Sequence, residues 1–353
     1  PMSPRGYHLG SPIGFGAFGY VNVATVLKGP HKGERVAIKS IDLEQFPDSN
    51  LEEIRKEIQI MRISYHENVV SYHVCFLVEM NLWLVMPILE GGSVANILKT
   101  KFPHGIQDEN VIATILHKTL QGLSYFHMNS QIHRDIKASN ILIGADGNVF
   151  ISDFGVAAKL KEGKSAKTLV GSPCWMAPEV INADRSNGYD FKADVWSLGI
   201  TAIELAQGEP PLVNYPPMKV IMMVMHKEPP TLTRPEKWSS DFRDFVQSCL
   251  QKEPEDRPTA EQLLRKKFFR KARDANFLTQ RFINELPPLE SRITDLPDPV
   301  LHSSGSNQQV GSWDFGSSGD YGSARQEKVH IDPLYDLDED EGDPFEGIRD
   351  EED

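Results

Sequence analysis

The chain has 353 residues, of which 40% are hydrophobic, and a formal net charge of −13 at pH 7. This length is sufficient for two domains or for one large domain with extensions, and the apolar content is sufficient for a packed core. The charge is concentrated in residues 332–353, which hold 12 acids and one basic residue; the other 331 residues carry about −2, which predicts no nucleic-acid partner.

The sequence also lacks the features of membrane and secreted proteins. No apolar run is long enough to span a bilayer, and residues 1–10 show no basic stretch followed by an apolar one. The three cysteines, Cys75, Cys174 and Cys249, are far apart and match no zinc spacing. We therefore expect a protein with no disulfide framework and no membrane insertion, in a reducing, cytoplasmic location.

Residues 1 to about 92 are predicted to be mostly β-structure with one helix. Runs of apolar and β-branched residues predict strands at Val36–Leu43, Val69–Val78 and Leu82–Ile88. Between the first two strands, Ser49–Ile63 is predicted to be a helix, because it opens with a capping-box pattern and carries apolar residues on one face.

From Ser93 onward, helical periodicity dominates the sequence. An interposed β-hairpin, Ile141–Ser152, is expected to turn at Ala145-Asp146-Gly147. Periodicity ends after about Phe277, and residues 294–353 are predicted to be a disordered tail, rich in Ser and Gly and then acidic. Helices are predicted at Val94–Leu98, Glu109–Met128, Lys192–Ala206, Met218–Met225, Asp241–Leu250 and Ala260–Arg265.

The first motif that carries chemistry is the glycine-rich stretch Gly14-Phe15-Gly16-Ala17-Phe18-Gly19-Tyr20-Val21. A dinucleotide-binding fold requires a helix directly after the third glycine, whereas strand-like residues follow here. A glycine-rich hairpin instead lets backbone amides lie over the phosphates of a nucleotide, since side chains would block the approach. Taken alone, this motif does not decide between nucleotide binding and an ordinary hairpin.

A lysine interrupts the apolar strand that follows. Lys39, in Val36-Ala37-Ile38-Lys39, is either an ordinary solvated residue or a contact to nucleotide phosphates. The second interpretation requires an acidic partner on the predicted helix. Glu57 is preferred over Glu53, because it lies one turn before Met61 on the apolar face of that helix.

The densest polar motif is Ile132-His133-Arg134-Asp135-Ile136-Lys137-Ala138-Ser139-Asn140. Charged residues inside an apolar framework need partners, because an unpaired buried charge is costly. In a catalytic loop, Asp135 would orient a substrate hydroxyl and accept its proton, Asn140 would bind magnesium, and Lys137 would contact the transferred phosphate. The alternative is a charged loop between two helices.

Two further acidic residues complete the set of candidates. Asp153, in Ser152-Asp153-Phe154-Gly155, follows the hairpin and is the second candidate magnesium ligand. Glu179, in Ala177-Pro178-Glu179, is expected to form a buried ion pair with Arg257.

In their joint order, these motifs resemble the protein-kinase superfamily. The resemblance implies the use of ATP and Mg²⁺ and a two-lobed α+β fold. The small N-lobe is expected to be mostly antiparallel β-sheet with one key helix, and the larger C-lobe mostly helical. The implied regions are an N-terminal extension 1–6, the kinase domain 7–269 with its N-lobe 7–86, hinge 87–92 and C-lobe 93–269, a family-specific extension 270–293, and the tail 294–353.

The same resemblance implies which residues surround ATP. Met86 is the expected gatekeeper, Pro87 offers a carbonyl to the adenine amino group, and Leu89 offers an N–H. A lysine at the position of Lys137 is typical of serine/threonine kinases rather than tyrosine kinases. The expected ATP-binding residues are Ile13, Gly14, Phe15, Gly16, Ala17, Phe18, Gly19, Tyr20, Val21, Ala37, Lys39, Met86, Pro87 and Leu89.

Four stretches resemble the sterile-twenty group and, within it, the oxidative-stress-responsive kinase, SPAK and Frayed family. They are Gly171–Val180, Gly188–Asp194, Tyr215–Val220 and Lys267–Ala272. The resemblance implies an upstream WNK-type kinase and substrates among cation–chloride cotransporters. The family's C-terminal domain, which docks Arg-Phe-x-Val peptides, is absent or truncated in this sequence, so recruitment through it is not predicted.

The resemblance also implies regulatory residues. Members are activated by phosphorylation of a threonine that matches Thr168, and Arg134 could pair with that phosphate. Ser172 occupies the usual threonine position that contacts the catalytic Asp and Lys. A second phosphosite of the family matches Ser303 or Ser304.

A tripeptide in the tail is the last candidate site. Trp313, Asp314 and Phe315 resemble a Trp-acid-Phe element with which related kinases and pseudokinases dock the helical-repeat scaffold called calcium-binding protein thirty-nine. Two incidental aromatic residues in a disordered tail are the alternative. For the whole chain, the competing interpretations are a pseudokinase scaffold and a member of the neighbouring germinal-centre kinase subfamily.

Overall fold

The computed structural model describes residues 3–16, 19–43, 65–152, 158–159, 171–183 and 188–293. Several predictions from the sequence fall outside these ranges and stay predictions. They concern the helix at 49–63, the segment that holds Asp153 and Thr168, and the tail 294–353.

The N-terminal part forms a five-stranded antiparallel sheet in the order β1-β2-β3-β5-β4. Two of the three predicted strands agree with the structure to within one residue at each end. The strands are β1 (Tyr7–Gly16), β2 (Gly19–Val26), β3 (Arg35–Asp42), β4 (Val74–Val78) and β5 (Asn81–Pro87).

The predicted strand Val69–Val78 is wrong in its first half, because β4 begins only at Val74. Val70 N–H instead donates to the carbonyl of Ile151 over 2.9 Å, and Val69 forms an isolated bridge with the same residue. These two buried valines therefore join the N-terminal part to the C-terminal hairpin and do not extend the sheet.

Alternation along β3 gives the sheet two apolar faces. Val36 and Ile38 pack in one cluster, while Ala37 and Ile41 pack in another that includes Met86 of β5. Successive side chains on a strand point to opposite faces, which explains this division.

The C-terminal part is mostly helical and contains the largest core cluster. Two short sheets accompany the helices: β6 (Gly92–Ser93), β8 (Ile141–Ile143) and β9 (Val149–Ile151) form one, and β7 (Gln131–Ile132) pairs with β10 (Ala158–Lys159) in the other. The helices are α1 (Val94–Lys101), α2 (Glu109–Met128), α3 (Pro178–Ile181), α4 (Lys192–Gln207), α5 (Pro217–His226), α6 (Ser240–Cys249), α7 (Ala260–Leu264) and α8 (Ala275–Arg281).

Helix α2 matches its predicted range at both ends. It begins after Asp108, whose side chain accepts a hydrogen bond from Asn110 N–H and so satisfies a free donor at the helix start. Helix α4 is buried from Ala193 to Ala206, and it ends at Gly208 with φ 92°, the left-handed conformation that glycine adopts without strain. This buried helix carries Asp194, which accepts hydrogen bonds from the backbone N–H groups of His133 and Arg134.

Helix α8 and the 3₁₀ turns after it continue regular structure beyond Phe277, where the periodicity of the sequence ends. Asp274 caps α8 by accepting from the N–H of Phe277, and Leu278 is fully buried. A helix of only two turns carries too few apolar residues for its period to be recognised in a sequence. Together with the antiparallel sheet, these helices confirm the two-lobed α+β architecture. Among the described residues, no helix combines the length and apolar character needed to cross a bilayer.

Candidate active site

The catalytic loop lies between β7 and β8 and is held by a buried aspartate of α4. Asp194 accepts hydrogen bonds from the backbone N–H groups of His133 and Arg134, over 2.9 and 2.8 Å, and contacts His127 Nε2 at 2.9 Å. Arg134 has φ 70°, a left-handed conformation that these bonds help to maintain. Burial by itself raises the pKa of Asp194, but the hydrogen bonds that the carboxylate accepts from His127 and from His133 N–H bring the pKa below its ordinary value.

His133 fixes the position of the loop against the hairpin. Its Nε2 lies 3.0 Å from the carbonyl oxygen of Ser152, which can only accept, and its Nδ1 lies 3.3 Å from Asp135 N–H, which can only donate. These contacts assign the neutral tautomer with the proton on Nε2. The ring therefore connects the loop to the residue directly before Asp153.

The structure brings four of the predicted polar residues together. Asp135 Oδ2 lies 2.9 Å from Asn140 Nδ2 and 2.7 Å from Lys137 Nζ. Ser172 donates to Asp135 Oδ1 over 3.1 Å and accepts from Lys137 Nζ over 2.7 Å. The result is a partly buried carboxylate whose two oxygens are both oriented by hydrogen bonds.

Asn140 is suited to the role of an oxygen ligand. Its Nδ2 donates to both the carbonyl and the carboxylate of Asp135. Its Oδ1 accepts from the Ser139 hydroxyl over 3.5 Å and keeps a second lone pair with which it could bind a cation. Magnesium in nucleotide sites is held by one or two protein oxygen donors together with phosphates, so a single amide oxygen and Asp153 would suffice. Among the described residues, no group of three His, Cys, Asp or Glu side chains is placed to hold a metal ion by itself.

The glycine-rich stretch forms the turn end of the β1–β2 hairpin and not the start of a helix. Gly14 pairs with Val21, Phe15 with Tyr20, and Gly16 with Gly19. The rings of Phe15 and Tyr20 are in contact, with centroids 4.8 Å apart. Ala17 and Phe18, at the tip, lie outside the described residues.

Lys39 and the residues expected around adenine share one face of the sheet. Lys39 is 7% exposed and pairs with Val21 of β2 and Leu84 of β5, so it is not a solvated strand residue. Ala37 pairs with Met86, and both belong to one apolar cluster. Ile13, Val21, Ile88, Leu89 and Leu142 pack against this cluster.

Leu142 also packs against this cluster, and the sequence pattern did not single it out. It lies in β8, two residues after Asn140, so it reaches the cluster from the C-terminal part of the chain. The spacing to Asn140 was the available signal, but an apolar residue in a strand is usually just core. Pro87 ends β5 opposite Val36, and Gly92 N–H donates to the Leu89 carbonyl over 2.8 Å at the turn of the hinge.

Glu179 and Arg257 form the expected buried pair. Two parallel hydrogen bonds join the guanidinium to the carboxylate, over 2.6 and 2.8 Å, and Arg257 is 1% exposed. The guanidinium also donates to the carbonyls of Lys192 and Lys252, and its Nε donates to that of Gln251. All of its donor groups are thus occupied, which is the condition for a stable buried charge.

Glu204, near the end of α4, is a site residue that the sequence analysis missed. Its Oε2 accepts from the backbone N–H of Ala138 and from Trp175 Nε1, both over 3.0 Å. Burial raises its pKa to about 7, against the opposing effect of these hydrogen bonds and of the Lys137 charge. One carboxylate therefore joins the candidate catalytic loop to Trp175, in the stretch that leads to Glu179 and that in kinases is called the end of the activation segment.

The remaining predicted site residues lie outside the described ranges. They are Ala17, Phe18, Glu57, Asp153, Thr168, Ser303, Ser304, Trp313, Asp314 and Phe315.

Comparison with known families agrees with this geometry. The protein kinase domain family matches residues 7–269. Serine/threonine-protein kinase fray2 of Dictyostelium discoideum is 46% identical over 302 residues, which cover 84% of this chain and 29% of that protein. Germinal center kinase 3 of Caenorhabditis elegans is 42% identical over 337 residues, covering 89% and 56%. Serine/threonine-protein kinase fray1 of Dictyostelium discoideum is 42% identical over 305 residues, covering 85% and 52%. This chain thus spans less than two thirds of each of these relatives.

Proposed function

We propose that this chain, which belongs to the protein kinase family and to its sterile-twenty group, transfers the γ-phosphate of ATP to serine or threonine residues of proteins. The observation that carries this proposal is the cluster of Asp135, Lys137, Asn140 and Ser172. A loop with a purely structural role has no need for a carboxylate held between an amide and an ammonium group.

Each described residue of the cluster has a task in a direct in-line transfer. Asp135 would accept the hydrogen bond of the incoming hydroxyl and take its proton as the new O–P bond forms. Lys137, 2.7 Å from that carboxylate, would stabilise charge on the transferred phosphoryl group. Asn140 would hold Mg²⁺ together with Asp153, and the ion would neutralise charge on the phosphate oxygens.

The N-terminal sheet would bind the nucleotide. Lys39 would contact the phosphates from its buried position on β3, with Glu57 as its expected partner. The glycine-rich hairpin would cover the phosphates with its backbone amides. Adenine would lie in the apolar cluster around Ala37 and Met86, with its polar edge toward Pro87 and Leu89.

Transfer of labelled phosphate from ATP to a protein substrate tests the proposal directly. Wild type should incorporate label on serine or threonine, and Asp135→Ala should lose nearly all of it while still binding nucleotide. Equal incorporation by both proteins would remove the catalytic assignment. Absence of transfer by the correctly phosphorylated wild type, with its scaffold partner present, would favour a pseudokinase scaffold instead.

The proposal extends to regulation by phosphorylation. Phosphorylation of Thr168 by a WNK-type kinase would add about −1.5 to −2 charge, which Arg134 could pair with. Modification of Ser303 or Ser304 is proposed as a second control. The support is the likeness to Frayed kinases, two of which are among the relatives. Exclusive autophosphorylation at Thr168 would favour the control expected of germinal-centre kinases.

Partners and location complete the proposal. Trp313, Asp314 and Phe315 are proposed to dock a helical-repeat scaffold of the type named calcium-binding protein thirty-nine, and cation–chloride cotransporters are proposed as substrates. A pull-down comparing wild type with Trp313→Ala tests the docking. A cytoplasmic location is proposed on the basis of the three widely spaced cysteines.

A further inference from the structure

The segment that follows the matched kinase region packs back onto the C-terminal part of the chain. Leu278 of α8 and Phe282 are fully buried, and the Phe282 ring stands edge-on to Phe102, with centroids 5.8 Å apart. A Cβ at Gly147, in the turn of the β8–β9 hairpin, would lie 2.0 Å from the Ala275 carbonyl oxygen. The segment therefore contacts the turn of the β8–β9 hairpin, which follows Asn140 in the chain.

The same segment ends in a 3₁₀ turn, Leu289–Arg292, that reaches the hinge. Arg292 is 8% exposed, and its guanidinium donates to the carbonyl oxygens of Glu90 and Gly91 over 2.7 and 2.8 Å. It also donates to Asn96 Oδ1 over 3.0 Å, and Asn96 Nδ2 donates back to the Arg292 carbonyl over 3.2 Å. Three charge-assisted hydrogen bonds thus fasten the segment to the hinge and to α1.

Two further contacts close this arrangement around the hinge. Leu289 is buried directly against the hinge backbone, since a Cβ at Gly92 would lie 2.8 Å from Leu289 Cδ1. Arg35, at the start of β3, forms ion pairs with both Glu90 and Glu290. The segment, the hinge and the N-terminal sheet are therefore connected through charged groups at one place.

The carbonyls held by Arg292 follow immediately after the expected adenine contact. Glu90 and Gly91 come directly after Leu89, whose own carbonyl accepts from Gly92 N–H over 2.8 Å. A guanidinium that fixes two successive carbonyls restricts the peptide planes of this turn. Without it, the hinge would have more conformations to lose when a nucleotide binds, and the affinity would fall.

We infer that Arg292 is a positioning residue for the nucleotide site, and that residues 275–292 hold the hinge in the geometry that adenine requires. The inference rests on the proposed function for the place where the nucleotide binds. Residues 275–292 would then contribute to nucleotide binding as well as to the packing of the C-terminal core.

The experiment compares Arg292→Met with Arg273→Met in the full chain. Both variants lose an arginine from the same extension, but Arg273 is exposed, so it serves as the matched control. Calorimetric titration with Mg-ADP gives the dissociation constant, and kinase assays give KM for ATP and kcat separately. Arg292→Met should raise both the dissociation constant and KM by about five- to twentyfold, with kcat within about twofold of wild type. The control should leave all three unchanged.

An Mg-ADP dissociation constant equal to that of wild type in Arg292→Met would overturn the inference, whatever the melting temperature does. If that variant does not fold, Arg292→Lys replaces it, because a single ammonium cannot reproduce the fork between the two carbonyls and should weaken binding to a smaller extent. An unchanged dissociation constant in Arg292→Lys would then decide against the inference. Because binding is measured without phosphate transfer, a chain that binds Mg-ADP but transfers no phosphate would refute the proposed function alone.

Discussion

The hydroxyl of Ser172 donates a hydrogen bond to Oδ1 of Asp135 over 3.1 Å. The same hydroxyl accepts from Lys137 Nζ over 2.7 Å, so it contacts both Asp135 and Lys137 of the candidate catalytic loop. The resemblance to kinases implies a threonine at this position, and the serine here has the hydroxyl that makes these contacts.

Ser172→Ala should lower kcat by about 10- to 100-fold, because Asp135 and Lys137 lose the group that orients them. Ser172→Thr should retain most of the activity, since it keeps the hydroxyl. Steady-state kinetics with a peptide substrate give the answer, and KM for ATP should stay near the wild-type value. A kcat for Ser172→Ala equal to that of wild type would show that the contact has no catalytic role.

Arg257→Met should destabilise the protein by about 3–5 kcal/mol, because Glu179 would be left as an unpaired buried carboxylate. Arg257→Met combined with Glu179→Leu should recover part of this loss. Urea denaturation measures the free energy of unfolding of each variant. Arg265→Met, which breaks the exposed pair with Glu261, is the control and should change stability by no more than about 1 kcal/mol.

Glu204 predicts a pH dependence of stability. Its folded-state pKa is about 7 and its ordinary value is 4.5, so between these values the folded protein holds a proton that the unfolded chain has released. The contribution of this group is therefore greatest below about pH 4.5 and is lost as the pH rises to about 7. The loss is on the order of 3 kcal/mol.

Glu204→Gln removes this titration and keeps an acceptor for Ala138 N–H and Trp175 Nε1. The variant should gain stability relative to wild type between pH 5 and pH 7, as measured by urea denaturation at several pH values. Glu228→Gln, at an exposed position, is the control, and its free energy of unfolding should depend on pH in the same way as that of wild type. If the free energy of unfolding of Glu204→Gln also followed that of wild type between pH 5 and pH 7, the raised pKa of Glu204 would be contradicted.

Thr168→Glu should raise basal kinase activity several-fold, because a carboxylate supplies part of the charge that a phosphate would bring near Arg134. Ser165→Glu, three residues earlier in the same segment, is the control for added negative charge and should have little effect. Initial rates of peptide phosphorylation by the unphosphorylated proteins are the measurement. Turnover of Thr168→Glu at or below the wild-type rate would count against regulation at this residue.

Much of the fold could be predicted where local signals were strong. Helix α2 was predicted over its full range because its apolar periodicity extends over 20 residues. The wrong start of β4 has the opposite cause: Val69 and Val70 have the composition of a strand, but Val70 N–H donates to the Ile151 carbonyl and Val69 forms a bridge with the same residue, about 80 residues away. Local composition contains no information about such a partner.

The candidate site likewise contains some residues that a sequence motif reveals and others that only the fold brings together. Asp135, Lys137 and Asn140 lie within six residues, so their motif is visible in the sequence. Glu204 reaches Ala138 from 66 positions away, and Arg292 reaches Gly91 from 201 positions away. Both side chains bind backbone groups of residues that are distant in the sequence. Because backbone groups occur along the whole chain, no motif marks these contacts before the chain folds.

The contact between Arg292 and the hinge has a practical consequence for recombinant work. A fragment cut at residue 269, where the family match stops, would lose Leu278 and Phe282 and uncover the apolar surface beneath them. Such a truncation should aggregate or bind nucleotide weakly even with every catalytic side chain intact. We therefore expect the smallest unit that folds and binds nucleotide to be longer than residues 7–269.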